Sequence, residues 1–211
     1  RADIAALLQA RERQNINALK ALIVPHAGYI YSGTTAAAAY AQIAPLRARI
    51  RRVVLLGPSH RVALRGMALP THQQFQTPLG AVNIDPQAAA LLGSFEQVAL
   101  RDDAHRDEHS LEVHLPFLQM VLDDFVLIPI VVGLATPFDV AKVLDTLWGG
   151  AETLIVISSD LSHFHSYAEA ETIDAHTAAM IGQFDYANIR GEDACGYHPL
   201  NGLLKLAQQR H

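Results

Sequence analysis

The sequence predicts an α/β protein of three layers, with a mostly parallel or mixed central sheet between helices. Three observations carry this expectation. Short, β-branched apolar runs recur at 22–24, 53–56, 126–132 and 154–157, and continuous rather than alternating apolarity is the mark of strands buried on both faces. Segments of helical composition or period follow three of the runs, over 34–43, 137–148 and 167–181, as alternating strands and helices of an α/β fold require. The runs also end alike, on breakers followed by polar residues, which puts histidines at the carboxyl ends of strands, where open α/β sheets bind ligands.

The 211 residues are 50% hydrophobic, enough to bury a core as one domain spanning 1–211, a single soluble globule. With a formal net charge of -5 and one local basic cluster, Arg47, Arg49, Arg51 and Arg52, nucleic acid is not an expected partner. No apolar run approaches the roughly 18 residues of a membrane span, and no signal pattern opens the chain, so no membrane partner is expected and the cytoplasm is the default compartment. One cysteine excludes an internal disulfide and leaves Cys195 as a packed small residue, a reactive thiol or a metal ligand. A chain that opens on Arg1 and stops abruptly at His211 is expected to be incomplete at both ends. A further gap is suspected at Gln14-Asn15-Ile16-Asn17.

In order, residues 2–10 have an amphipathic helical pattern, with Ile4, Leu7 and Leu8 on one side, and 11–17 read as a polar loop. The strand at 22–24 runs into Pro25-His26, after which Ser32 is the expected N-cap of a helix over 34–43. The strand at 53–56 ends on Gly57-Pro58-Ser59-His60 and repeats that logic. Residues 65–69 and 81–84 read as strands flanking the polar segment 71–77, with Pro78-Leu79-Gly80 as a turn. Over 85–92 a helix is expected, Asp85 capping and Pro86 in first position. The stretch 102–114 is the most polar of the chain. Either a helix starts near Ser110 and kinks at Pro116, or a loop continues and Pro116 opens the helix. In the first case His109 and Glu112 share a face. The run 126–132 is a strand despite Pro129. The strand at 154–157 ends on Ser158-Ser159-Asp160-Leu161-Ser162-His163. Gly182 is the expected C′ residue of the helix over 167–181, and Pro199 opens a last helix to about 209.

Parallel strands align their carboxyl ends, so His26, His60 and the Asp160–His163 pair can converge on one crevice with Cys195, which a glycine-flanked turn delivers. Two imidazoles and a thiolate suit zinc, copper or iron and leave a position open for water, oxygen or substrate. Taken singly, a histidine at a strand end is more often an ordinary hydrogen-bonded residue. The repeated context is what brings the metal reading level with that one. His105, His109 and His114 offer a rival site, but their irregular spacing matches no ligand pair, and most of them read as solvated or supporting side chains. Tyr29, Tyr31 and Phe164 could line a pocket, with core packing the expected role of Phe164. There is no phosphate-binding glycine motif.

Together Pro25-His26-Ala27-Gly28-Tyr29, Gly57-Pro58-Ser59-His60, Asp107-Glu108-His109-Ser110-Leu111-Glu112-Val113-His114-Leu115-Pro116-Phe117, Ser158-Ser159-Asp160-Leu161-Ser162-His163 and Cys195-Gly196-Tyr197-His198-Pro199 resemble the Memo family, whose prokaryotic members are called AmmeMemoRadiSam system protein B. The resemblance implies a fold similar to the class III extradiol dioxygenases. Carried over by motif, it makes His26, His60 and Cys195 the metal ligands. It places Asp160 and His163 beside the metal, with His163 where a dioxygenase has its acid/base histidine, and His109 looks like the second such histidine. Tyr29, Glu112 and His198 are then expected to meet the substrate. The dioxygenases use a carboxylate where this chain has Cys195. A thiolate favours softer or redox-active ions and can itself be oxidised, so one iron or copper ion is expected ahead of zinc.

The leading expectation is a metal-dependent oxidoreductase or oxygen-handling protein acting on an unknown small molecule or peptide, His163 donating or accepting a proton. The alternative is a non-catalytic module that binds a peptide or partner in the same cleft. The family's eukaryotic members are linked to receptor signalling, and the prokaryotic name implies a radical SAM protein and an AMMECR-type protein as partners. A zinc hydrolase is the third reading, with Glu112 its one candidate base.

Overall fold

The computed structural model describes residues 2–210 except 10, 12, 13, 15 and 17. Ala10 of the expected first helix, and four positions of the expected loop over 11–17, two of them in the suspected junction, lie outside the described residues. Among the described residues six strands form the central sheet, in the order β1 (Ala21–Val24), β8 (Thr153–Ser158), β2 (Arg52–Pro58), β7 (Val126–Val132), β3 (Met67–Leu69) and β6 (Val98–Leu100). The first four are mutually parallel. β3 runs antiparallel to β7, with β6 parallel to β3. The sheet is mixed with a parallel centre, and helices cover it on both sides.

Double coverage is why these strands are apolar throughout. Along β2, Val54 and Leu56 join Ile128, Ile130, Ile155 and Ile157 under α6 (Pro137–Thr146) and α8 (Tyr197–Arg210). The intervening Val53 and Leu55 join Leu127, Leu154 and Val156 under α2 (Tyr29–Ala41) and α5 (Leu115–Val121). Each such side chain contributes roughly 1.5–3 kcal/mol by leaving water, and period-two alternation feeds both layers from one strand. α1 (Ala2–Gln9) packs on α2, burying Ile4. Capping boxes start α6, through Thr136 and Asp139, and α7 (Tyr167–Gly182), through Ser166 and Glu169. Among the described residues no helix is long and apolar enough to cross a membrane.

Several boundaries differ from expectation. α2 starts at Tyr29 behind Gly28, and Ser32 lies inside its first turn, where the hydroxyl donates to the Ala27 carbonyl at 2.7 Å instead of capping. The segment expected to be merely polar contains β4 (Gln74–Thr77), hairpinned onto β5 (Gly80–Asn83) through the expected turn, because Phe75 alternates inward between exposed glutamines. α3 (Ala88–Leu92) is shorter than predicted. Asp85 is buried against Arg52, Nε to Oδ2 2.9 Å, while its Oδ1 accepts from the Gln87 N–H. α4 (Asp102–Arg106) and β6 were not anticipated. A 3-10 turn, Glu112–His114, precedes α5, and Pro116 stands in that helix's first turn, so His109 and Glu112 share no helix face. α7 runs through Gly182, and α8 begins two residues ahead of Pro199.

Candidate functional site

β1, β8 and β2 are neighbours, so their carboxyl ends deliver His26, Ser158-Ser159-Asp160 and His60 side by side. Cys195 arrives on the turn into α8. Its N–H donates to the Asp160 carbonyl at 3.2 Å, and the Gly196 N–H donates to Ser159 Oγ at 2.9 Å. A Cβ at Gly196 would lie 2.4 Å from the Ser158 carbonyl oxygen, so glycine alone lets this turn rest on the end of β8.

His26 is 2% exposed. Its Nδ1 lies 2.6 Å from Ser158 Oγ, and its Nε2 lies 3.3 Å from Cys195 Sγ and 3.7 Å from Asp160 Oδ2. The backbone N–H groups of His26 and Ala27 donate to Asp160 Oδ1 at 2.7 and 3.1 Å. His60 is held by buried Glu108. Its Nδ1 is 2.8 Å from Oε1, its backbone N–H donates to Oε2 at 2.5 Å, and the Ser110 N–H donates to Oε1 at 3.0 Å. Burial opposes ionisation of Glu108, but the hydrogen bonds from His60 and Ser110 outweigh it and hold the pKa down to about 2. An ionised acceptor demands the proton on His60 Nδ1, which leaves Nε2 for the cleft.

Hydrogen bonding to Cys195, and then to Glu108, raises the His60 pKa to about 9. For Cys195 burial works upward, yet hydrogen bonds from His26 and His60 bring the thiol down to about 6. The lowered thiol ionises more readily than a free cysteine, toward the thiolate that ligates metals and attacks electrophiles. His109 stacks on His60, centroids 4.9 Å apart, and meets His26 edge-on at 5.6 Å. Burial and the neighbouring His60 lower its pKa. His163 stands at the rim, 42% exposed, with Nε2 3.6 Å from Asp160 Oδ2.

Donor atoms within 4.8 Å of one another form two sets that share His26: His26, His60 and His109, and His26, Asp160 and Cys195. Such groups could hold a metal ion. The triad expected from the sequence, His26, His60 and Cys195, draws on both sets, and His109 adds a ring nitrogen beside them.

The remaining expected residues line the surroundings. The Tyr29 hydroxyl donates to the Val113 carbonyl at 2.8 Å, and burial followed by the charge of Glu112 raises its pKa to about 12. Glu112 is exposed, in a depression shared with Arg61 and Arg106. His198 packs on Tyr197, centroids 4.0 Å apart, and both line a cleft of about 760 Å³ that reaches Cys195. Phe164, expected in the core, is fully exposed beside His163, with a φ of 62°. His105 and His114, grouped with solvated or supporting side chains, are both buried. His105 Nε2 lies 3.1 Å from the Ala68 carbonyl, and His114 fits between Tyr40 and Ser158.

Sequence reasoning missed Glu108, Ser158 and Tyr40 as parts of the site, and it named His114 without placing it there. Glu108, Ser158 and His114 lie within the quoted motifs, and attention to those motifs' non-ligand positions could have placed them. Tyr40 sits in an alanine-rich helix and gave no signal.

A family model described as Memo-like protein matches residues 1–210. Protein MEMO1 of Xenopus laevis is 34% identical over 220 residues, taking in 90% of this chain and 73% of that protein. A MEMO1 family protein of Metallosphaera sedula is 33% identical over 202 residues, 90% of this chain and 71% of its own length. Protein MEMO1 of Mus musculus is 33% identical over 215 residues, 88% and 71% respectively.

Proposed function

The chain belongs to the Memo family, and on that premise we propose that it binds one metal ion through His26, His60 and Cys195 and uses it for redox or oxygen chemistry on a substrate held at the strand ends. The observation that carries this reading is the convergence of two imidazoles on one low-pKa sulfur. The donor set fits an ion. Each ring has its Nδ1 engaged by a protein partner, Ser158 or Glu108, and turns its other nitrogen to the Cys195 side of the cleft. The thiolate makes the set soft, which suits Cu⁺ as well as Zn²⁺, and the redox reading takes copper or iron as the ion. When bound, such an ion supplies Lewis acidity and one-electron chemistry.

The chain's own residues do the rest. Asp160 pins the His26 loop through two backbone N–H groups, and its second oxygen orients His163. His163 at the rim gives or takes the substrate's proton. His109, neutral and stacked on His60, is a second proton acceptor. Tyr29, Glu112 and His198 contact the substrate from the walls.

Elemental analysis of protein purified without chelators, followed by titration with Fe²⁺, Cu⁺ and Zn²⁺, tests this. The wild type is expected to take a single equivalent that His26→Ala and Cys195→Ala lose. Variants that bind like the wild type, or a wild type that takes no ion, overturn the reading. A second reading, a binding module without turnover, is favoured by an apolar rim. Phe164 is exposed beside His163, and Ile30 and Tyr31 are exposed in the first turn of α2, shortly after His26. Co-purification of a peptide, a radical SAM protein or an AMMECR-type protein without oxygen uptake is its expected signature.

A further inference from the structure

A buried chain of polar groups runs from His26 into the helical layer. Ser158 Oγ, at the carboxyl end of β8, lies 2.5 Å from the Ser110 carbonyl oxygen, 2.6 Å from His26 Nδ1 and 2.8 Å from His114 Nε2. His114 Nδ1 in turn lies 2.9 Å from the Tyr40 hydroxyl on α2. All are sealed from solvent, with Ser158 and Tyr40 at 0%, His114 at 1% and His26 at 2% exposed.

A hydroxyl carries one hydrogen and a carbonyl oxygen carries none. The Ser158 hydrogen must point at Ser110, because any other orientation leaves two oxygens facing each other at 2.5 Å with nothing between them. Ser158 then offers lone pairs only, and both imidazoles must donate to it.

We propose that Ser158 is the positioning residue that fixes the proton on His26 Nδ1, taking its Nδ1–H and so leaving Nε2 as the ring atom presented to Cys195 and to an ion bound there. The use of Nε2 as a ligand rests on the metal reading above, whereas the Nδ1–H assignment does not. His114 and Tyr40 complete the chain. With Nε2–H given to Ser158, His114 Nδ1 accepts from the Tyr40 O–H, and every polar atom of the relay has one role. Burial keeps His114 neutral, as the acceptor role requires. The two imidazoles facing Cys195 are thus set by different means, His60 by a carboxylate and His26 by a hydroxyl whose own direction a backbone carbonyl dictates. Partners of this kind orient metal-binding histidines elsewhere, and their loss weakens binding.

Long-range 1H–15N correlation on metal-free, 15N-histidine-labelled protein at alkaline pH distinguishes the tautomers of each ring. His26 is expected as Nδ1–H and His114 as Nε2–H. In Ser158→Ala the His26 signal should move toward the Nε2–H form, and Zn²⁺ affinity should fall roughly 10–100-fold. Tyr40→Phe, which removes only the far donor, should leave His26 unchanged. A wild-type His26 in the Nε2–H form, or a His26 tautomer indifferent to Ser158→Ala, overturns the proposal. Should the tautomers come out as expected while none of Fe²⁺, Cu⁺ and Zn²⁺ binds the wild type, the metal reading falls and this one stands.

Discussion

Acid should weaken the fold through His114. The ring is completely buried and is faced by His26 across Ser158, by Tyr40 from α2 and by the Ser110 backbone, with no carboxylate among its described hydrogen-bond partners. Burial, and next the nearby His26, push its pKa from 6.5 down to about 3. Above pH 6.5 both the folded and unfolded states are neutral at this position, and His114 leaves stability unchanged. As the pH falls below that value the unfolded chain takes up a proton that the folded chain refuses. Stability then drops by about 1.4 kcal/mol per pH unit until the folded pKa is reached. At about pH 5 the loss is on the order of 2 kcal/mol, a large share of the roughly 5–15 kcal/mol by which a typical domain is folded. Urea unfolding followed from about pH 8 to about pH 4.5, in the wild type and in His114→Gln, measures it, since glutamine does not titrate over the range in which an imidazole does. The variant starts out less stable, because its amide cannot reproduce both ring contacts, and the gap should close below pH 6.5 at the slope given. Two stability curves that stay parallel over the whole range would refute the reasoning.

Other substitutions probe the supports of the site. In Glu108→Gln an amide nitrogen must face either the Nδ1–H or the backbone N–H of His60. A loss of about 1–3 kcal/mol is expected, roughly 2–4 °C of melting temperature per kcal/mol for a chain of this size, together with weaker Zn²⁺ binding. Equal melting and equal affinity would remove Glu108 as an anchor. Gly196→Ala puts a methyl 2.4 Å from the Ser158 carbonyl oxygen and 2.7 Å from Ser159 Cβ. The turn must shift and carry Cys195 with it, at about 1–3 kcal/mol, detected as a lower melting temperature and lost Zn²⁺ binding. Lys20→Ala removes an ammonium that donates to the carbonyls of Trp148, Gly150 and Thr153. Stability should fall by about 1–3 kcal/mol, and amide exchange over 148–153 should quicken, while Zn²⁺ binding is retained.

The layered fold could be read from the chain because buried parallel strands carry their signal locally. The runs at 53–56 and 154–157 are apolar on both faces, and the sheet lies between two helical layers that need them so. Helix starts were harder. Gly28 caps α2 without a side-chain contact, so Ser32, the conventional cap residue nearby, drew the boundary forward. β4 was missed because glutamines fill its outward positions and only Phe75 marks the inward one. The gathering of histidines followed from strand ends sharing one edge, which topology guarantees. Their orientation did not follow, because it depends on Ser158, Glu108, His114 and Tyr40, which meet only across long stretches of chain. Phe164 misled for a different reason. An apolar residue suggests burial, and nothing local announces the left-handed backbone that turns it outward.

The strand order has a consequence for how the protein is made. Among the described strands of the sheet β8 comes last in the chain, yet it lies between β1 and β2, which precede it by long stretches and do not pair with each other. A growing chain therefore carries His26 and His60 on segments with no shared neighbour until β8 emerges, and parallel pairing across such sequence distances is slow. Cys195 emerges later still. The donor set comes into being only once β8 has joined β1 and β2 and the Cys195 turn has settled on its end, so an ion cannot serve as a template for the earlier segments. Whatever ion the site takes is chosen after these strands have paired.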